Sequence, residues 1–358
     1  MPLIDKLFDL MVSQNASDLH LHEIQVPKLR VLGELFPVPS MLPIYYDEIR
    51  KMLMEICEPA DWEKFEQTGD LDFAYAYNET ARFRANYKKH YNGYGAVFRM
   101  IPSKIQTLKE IQAPAILSTF GMYASGLCLV TGPTGSGKTT TLAAIIDEIN
   151  HTRKKTILTV EEPVEFVHPQ IKSTIVQREV NHDCHSFGDA LRGAMRQDIE
   201  VIMVGEMRDV QTTSLAVKAA EMGQLVLATL HTNSAIKAVD RIIDVFPADE
   251  QESVRDTLSV AMRAVCAQLL LRRADGHARV PVHEILIQTR ASANLIREGK
   301  TNQLTQVIMS GRNAGMQLMD DGIERLLDIG MISSHEAYMK CTDKERFAAH
   351  APPGLGAN

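Results

Sequence analysis

Eight residues, Gly132-Pro133-Thr134-Gly135-Ser136-Gly137-Lys138-Thr139, constrain this chain more than any other stretch, because they fit G-x-x-x-x-G-K-[ST] at every fixed position. The apolar run Leu127 to Thr131 precedes them and reads as a strand, and a helix is expected behind them from Lys138 to Asn150. Strand, glycine-rich turn and helix N-terminus in that order form a phosphate cradle. The glycines let the backbone curl so that successive N–H groups point inward, and the helix adds the positive end of its dipole. Gly132, Pro133, Thr134, Gly135, Ser136, Gly137, Lys138, Thr139 and Thr140 are therefore expected to bind ATP. Lys138 would reach the β- and γ-phosphates, and Thr139 would ligate Mg2+ through its hydroxyl. A chance glycine-rich turn is the bland reading, and the flanking strand and helix speak against it.

A phosphate loop alone implies only binding. Hydrolysis also needs a second carboxylate near the metal and a group that orients the attacking water. Val201-Ile202-Met203-Val204-Gly205-Glu206 is an apolar strand ending in a carboxylate, so Glu206 is the expected second metal-side group, acting through water. The turn Glu161-Glu162-Pro163-Val164-Glu165 follows another strand and holds three carboxylates in five positions. One of them could be the general base; on pattern alone a solvated acidic turn fits equally well. His231 ends the run Leu225 to Leu230 and should face the same strand edge, where ligands bind in open α/β sheets. A lone histidine in such a place can be structural or catalytic.

Around these motifs the chain changes grammar. From Leu3 to Met100, short alternating runs (Ser17 to His22, Lys28 to Leu32, Leu71 to Tyr77, Arg82 to Tyr87, Ala96 to Met100) accompany helical spacing at 3–13 and Tyr46 to Ile56. That predicts an α+β domain with an antiparallel sheet over residues 1–101. A proline-bounded linker over 102–114 leads into a second domain, 115–350. There, runs apolar on both faces alternate with helices, as in a parallel sheet covered on both sides. The pattern is helical only beyond about Ala291, and the tail 351–358 is expected to be disordered. His20 and His22 could suggest a metal pair, but strand alternation explains their spacing better.

A formal net charge of −7 and a pI near 6.0 argue against nucleic acid as partner, which calls for a basic surface. The five cysteines are scattered without C-x-x-C pairing, as in a reduced, cytoplasmic protein without a zinc site. No stretch approaches the roughly 20 apolar residues that cross a bilayer, so membrane insertion is not expected and membrane contact would run through a partner.

Taken in order, these elements resemble the secretion ATPase superfamily, and within it the PilT/PilU-type retraction ATPases of type IV pili. Ala16-Ser17-Asp18-Leu19-His20, Arg82-Phe83-Arg84 and Ala96-Val97-Phe98-Arg99 resemble the family's N-domain segments. Glu161 to Glu165 resembles its Asp box, Gly205-Glu206-Met207-Arg208-Asp209 its Walker B segment, and Thr229-Leu230-His231-Thr232 its His box. Leu295-Ile296-Arg297-Glu298-Gly299-Lys300 resembles the A-I-R-A-G-D motif associated with retraction, departing at its first and last positions. Glu162 stands where the family usually has Asp, and Gln197-Asp198-Ile199-Glu200 lacks the usual proline.

The resemblance implies an N-terminal PAS-like α+β domain, a RecA-like P-loop ATPase domain with a C-terminal helical subdomain, and a homohexameric ring. By position it makes Glu165 the catalytic glutamate, Glu206 the magnesium-side glutamate and His231 a sensor of nucleotide state. Arg82, Arg84 and Arg99 become candidates to contact the γ-phosphate across a domain or subunit boundary. It further implies a cytoplasmic motor peripheral to the inner membrane, engaging a membrane platform protein of the pilus machine and in some systems a paralogous retraction ATPase. Two alternatives stand beside retraction: an auxiliary or assembly-type secretion ATPase, and a DNA-directed RecA-like motor. The acidic charge disfavours the latter, and the lack of a four-cysteine insert disfavours assembly.

Overall fold

The computed structural model describes residues 3–31, 33–78, 81–102, 104–276 and 278–352. The chain forms two compact units, Met1–Lys104 with Pro163–Val167, and Ile105–Glu162 with His168–Asn358.

The first unit contains helix α1 (Asp5–Ser13), strands β1 (Asp18–His22), β2 (Lys28–Val31) and β3 (Glu34–Pro37), and helices α2 (Tyr46–Met54) and α3 (Pro59–Thr68). Strands β4 (Asp70–Ala76), β5 (Ala81–His90) and β6 (Gly93–Pro102) complete a six-stranded sheet in the order β3-β2-β1-β6-β5-β4. Every pairing in it is antiparallel. The alternation in β5 explains its role: Ala81, Phe83, Ala85 and Tyr87 are buried, whereas Arg82, Arg84, Asn86 and Lys88 take the opposite face. The buried face packs on the apolar stripes of the three helices, with Leu7, Phe8 and Met11 from α1, Leu53 from α2 and Phe65 from α3. Phe8 stacks on Phe83 at 4.2 Å between ring centroids, and the Tyr87 hydroxyl donates to the Leu53 carbonyl at 3.0 Å. Among the described residues, the three helices of this unit all pack on the buried face. Strand β3 and helix α3 had no sequence expectation: β3 is a four-residue, fully exposed edge, and α3 lacks a continuous apolar stripe, burying only Trp62 and Phe65.

The second unit begins with a 3-10 stretch, Ala115–Met122, followed by β7 (Gly126–Thr131), α4 (Lys138–Thr152), β8 (Thr156–Glu161) and β9 (Thr174–Glu179). Next come α5 (Phe187–Ala194), β10 (Val201–Val204), α6 (Val210–Glu221), β11 (Leu225–Leu230), α7 (Ala235–Asp244) and α8 (Gln251–Ala261). The chain continues through β12 (Met262–Arg272), β13 (Arg279–Ile287), α9 (Arg290–Arg297), α10 (Leu304–Ser310), α11 (Met319–Asp328) and α12 (Ser334–Lys340). The seven strands take the order β13-β12-β7-β11-β10-β8-β9. Strands β7, β10 and β11 are buried at every residue, which is why they read as continuous apolar runs. One face of the sheet packs on α5 to α8, the other on α4 and the 3-10 stretch.

The expected parallel sheet needs one correction, because β13 runs antiparallel to β12. The two strands lie close enough in sequence for a short return, which parallel pairing does not permit. Helices α11 and α12 then cover the far ends of β12 and β13. Gly322 permits the close approach of α11, since a methyl group there would lie 2.5 Å from Val282 Cγ2. The tail expected to be disordered lies largely outside the described residues, from 353 onward.

Candidate active site

Parallel register brings the motifs of the second unit to one edge. Thr131 of β7 pairs with Leu230 of β11, and Val204 of β10 pairs with both Ala228 of β11 and Val160 of β8. The residues leaving the carboxyl ends of these strands are the phosphate loop, Glu161 and Glu162, Gly205 and Glu206, and His231.

In the loop, Gly132, Gly135 and Gly137 have φ values of 150°, 76° and 87°, a region costly for residues with a side chain. Gly132 also has no room for one, because a methyl group there would sit 2.3 Å from the Gln268 carbonyl oxygen. Gly137 caps α4, so the first N–H groups of that helix open onto the loop. Lys138 is buried, and its Nζ donates to the carbonyls of Gly132 at 2.8 Å and Pro133 at 3.1 Å. The hydroxyls of Ser136 and Thr131 are buried without a hydrogen-bond partner among the described residues. Unsatisfied donors beside a cradle of backbone N–H groups and an ammonium fit the oxygens of a bound phosphate chain.

The loop is tied to β12 by a residue with no sequence expectation. Gln268 donates from Nε2 to the Ser136 carbonyl at 2.7 Å and accepts at Oε1 from Thr141 Oγ1 at 2.8 Å. It stands in the apolar run Val265 to Leu271, and a buried amide in such a run was the available signal. Arg279 of β13 adds a second tie, donating to the Gly135 carbonyl at 3.3 Å.

Glu206 emerges from the fully buried β10. Gly205 lets it do so by lying against β8, where its N–H donates to the Val160 carbonyl at 2.8 Å. Glu206 Oε1 lies 3.0 Å from His231 Nε2, and Oε2 lies 2.8 Å from Arg208 Nη2. Burial pushes the Glu206 carboxyl up, but the hydrogen bond and charge of Arg208, with His231, more than offset it and hold it below the usual range. Glu206 is therefore ionised at neutral pH. Arg208 also reaches Glu162, 3.4 Å away. Thr229 Oγ1 donates to the Gly205 carbonyl and the Thr229 carbonyl accepts from Met207 N, so β11 fixes His231 relative to Glu206. Beyond His231, Glu284 accepts from Ser234 Oγ at 2.9 Å and from Ala235 N at 2.8 Å, anchoring α7.

The three acidic-turn carboxylates separate in space. Glu161 is buried and accepts from Thr159 Oγ1 at 2.8 Å. Glu162 is exposed, held by Arg208 and by Asn181 Nδ2 at 3.1 Å. Glu165 is half-buried within Pro163–Val167, the stretch grouped with the first unit. Of the first-unit arginines, Arg84 and Arg99 pair in register on the polar face of the sheet. Arg99 Nε donates to Asp18 at 2.8 Å, and Arg84 Nε lies 3.7 Å from Asp72. Arg82 Nε is buried without a hydrogen-bond partner among the described residues.

The type II/IV secretion system protein family matches residues 1–346. This chain belongs to that family. It is 42% identical over 96% of its length to the type IV pilus retraction ATPase PilT of Pseudomonas aeruginosa, covering 99% of it. A twitching motility protein of Neisseria gonorrhoeae is 44% identical over 89% of the chain and 85% of that protein. The crystal structure of the pilus retraction motor PilT with bound ADP superposes with a TM-score of 0.89 at 36% identity, covering 97% of this chain and 98% of that one. The secretion ATPase fold expected from the motifs is thus the fold observed.

Proposed function

We propose that this family member is an ATP-hydrolysing motor that drives type IV pilus retraction, and hence twitching motility. The observation that carries the reading is Glu206, held ionised between Arg208 and His231 at the same sheet edge as the phosphate loop. Chain-length similarity to a retraction ATPase supplies the direction of work.

In this reading the N–H groups of Gly132 to Thr140 hold the phosphates, and Lys138 exchanges the Gly132 and Pro133 carbonyls for phosphate oxygens. Thr139, through its hydroxyl, and Glu206, through water, would hold a magnesium ion. Such an ion would supply positive charge against the phosphates. Glu165 orients the attacking water and accepts its proton. His231, joined to Glu206, senses the nucleotide state. Arg82, Arg84 and Arg99 are offered to the γ-phosphate of a neighbouring subunit in a homohexamer. No helix among the described residues is long and apolar enough to cross a membrane, and the inner-membrane platform protein of the pilus machine is the proposed point of attachment for a cytoplasmic ring.

The departures in the retraction motif are absorbed locally. Leu295 packs against the main core of the second unit, and Lys300 pairs with Glu298 at 2.8 Å on the surface. Deleting the gene tests the direction of work: excess surface pili with lost twitching is expected, and absent pili would make the chain an assembly ATPase. For the chemistry, Lys138→Ala should abolish phosphate release, and Glu165→Gln should bind ATP yet hydrolyse it at least about 100-fold more slowly. Normal turnover in either variant would refute these assignments.

A further inference from the structure

The polar face of the first-unit sheet holds a cavity that the ATPase reading leaves unused. In β1, Leu19 and Leu21 are in the core, so His20 and His22 take the opposite face. Register places His20 beside Lys28 of β2, and aligns His22 with Gly95 of β6 and Gly95 with Lys88 of β5. Gly95 is a close-approach glycine, because a methyl group there would lie 2.6 Å from His22 Nδ1 and 3.1 Å from His90 Cδ2. The result is a cavity of about 360 Å³ lined by His20, His22, Gln25, Lys28, Lys88 and Asn92, with Leu35 and His90 at its wall.

The lining presents donors and no carboxylate. Asp18, the nearest acid on β1, is taken by Arg99 at 2.8 Å and Arg30 at 3.6 Å. Glu23 accepts instead from Tyr94 N at 3.2 Å. Lys28 Nζ approaches Gln25 Oε1 at 3.4 Å, which occupies the acceptor of that amide and leaves its NH2 group for a ligand. His90 contacts the Tyr94 carbonyl through Nε2 at 3.1 Å and the Asn92 N–H through Nδ1 at 3.2 Å, so both ring nitrogens are engaged. His20 Nε2 is buried and has no hydrogen-bond partner among the described residues.

A metal ion does not suit this site. Two ammonium groups flank it, both His90 nitrogens are engaged, and no group of three ligands among the described residues is arranged to hold a cation. We propose that the cavity binds a phosphate monoester, with its phosphate between Lys28 and Lys88 and hydrogen bonds from His20 and His22. The volume exceeds that of a bare phosphate and falls in the range of small-ligand sites, and Leu35 offers an apolar wall for the organic part. The surrounding charge agrees. Burial, then Lys88, His90, His20 and Lys28, depress His22 to about 4. Burial, then Arg30, Lys88 and Arg99, lower His20 against the pull of Asp18. The positive charge that lowers these two histidines, chiefly that of Lys88 and Lys28 for His22 and of Arg30 and Lys88 for His20, is what an anion would meet here.

Calorimetric titration of the full chain with glycerol 3-phosphate tests this, with ADP saturating so that the phosphate loop cannot answer for the cavity. Saturable binding is expected, weakened at least about 10-fold by Lys28→Ser and by Lys88→Ser, with ADP affinity and thermal midpoint unchanged. A parallel sedimentation assay with phosphatidic acid vesicles, against phosphatidylcholine alone, separates a soluble ester from a lipid headgroup. Lysine-dependent binding in either arm supports the site and names the source. Binding in neither arm, or binding that survives both lysine substitutions, would overturn the proposal.

Discussion

Gln268 lies on β12, far along the chain from the loop it braces, and its replacement by methionine keeps the side-chain length while removing both hydrogen bonds. The Thr141 hydroxyl has an alternative, since Thr141 N already bonds the Gly137 carbonyl one turn back and its Oγ1 can rotate to the same oxygen. The Ser136 carbonyl has no such substitute in the interior, so the loss reduces to one buried unsatisfied acceptor, about 1–3 kcal/mol. The loop relieves that strain by moving the carbonyl toward water, which turns the neighbouring N–H groups away from the phosphates. Nucleotide binding must then restore the original arrangement, so the same free energy appears as weaker affinity, about 5- to 150-fold. Gln268→Glu should be worse than Gln268→Met, because it sets a carboxylate against the Ser136 carbonyl. A fluorescent ATP analogue titrated into the purified chain measures the affinity, and thermal unfolding checks the fold. Wild-type affinity in both variants would refute the bracing role.

Two further outcomes are expected. Arg208→Gln removes the group that most lowers the Glu206 carboxyl, so the acid limb of the ATPase pH profile should move to higher pH; an unmoved limb would detach Arg208 from the chemistry. His283 is buried and depressed to about 4, mainly by burial and then by Arg325, so between that pH and the ordinary histidine value near 6.5 the unfolded chain binds the extra proton. Stability should therefore drop on acidification through this window by up to about 1.4 kcal/mol per pH unit, and denaturant midpoints of His283→Asn should show a shallower slope than wild type.

Local pattern made the phosphate loop and the strand β10 that ends at Glu206 legible, because each is a contiguous run, whereas of the two partners of Glu206 only Arg208 lies near it in sequence and His231 arrives from the end of β11. The polar alternation of β5 was equally readable. What escaped the sequence depends on partners remote along the chain. Gln268 looks like an odd polar residue in an apolar strand until Ser136 and Thr141 are seen beside it. His20 and His22 were read correctly as strand alternation, yet the lysines that give them a chemical setting arrive from β2 and β5. The acidic turn is the clearest case. Its three carboxylates are equivalent by pattern, and only the fold distinguishes Glu161, buried on Thr159, from Glu162, exposed on Arg208.

The charged groups of the second-unit site share one property that bears on how binding becomes motion. Lys138 rests on loop carbonyls, and Glu206 rests on Arg208 and His231. Each ion is compensated within the protein, which avoids the cost of an unpaired, partly buried charge. In the proposed reading Lys138 exchanges its loop carbonyls for phosphate oxygens, and a metal served by Glu206 would compete with Arg208 and His231 for the same carboxylate. Releasing Arg208 from Glu206 frees it from a bridge that also holds Glu162 at the end of β8, and disturbing His231 acts on the segment that leads into α7. A change at the phosphates is thus converted into altered restraints on two separate connections. In the proposed mechanism nucleotide would shift the population between the compensated arrangement seen here and an exchanged one, the two-state element a motor needs.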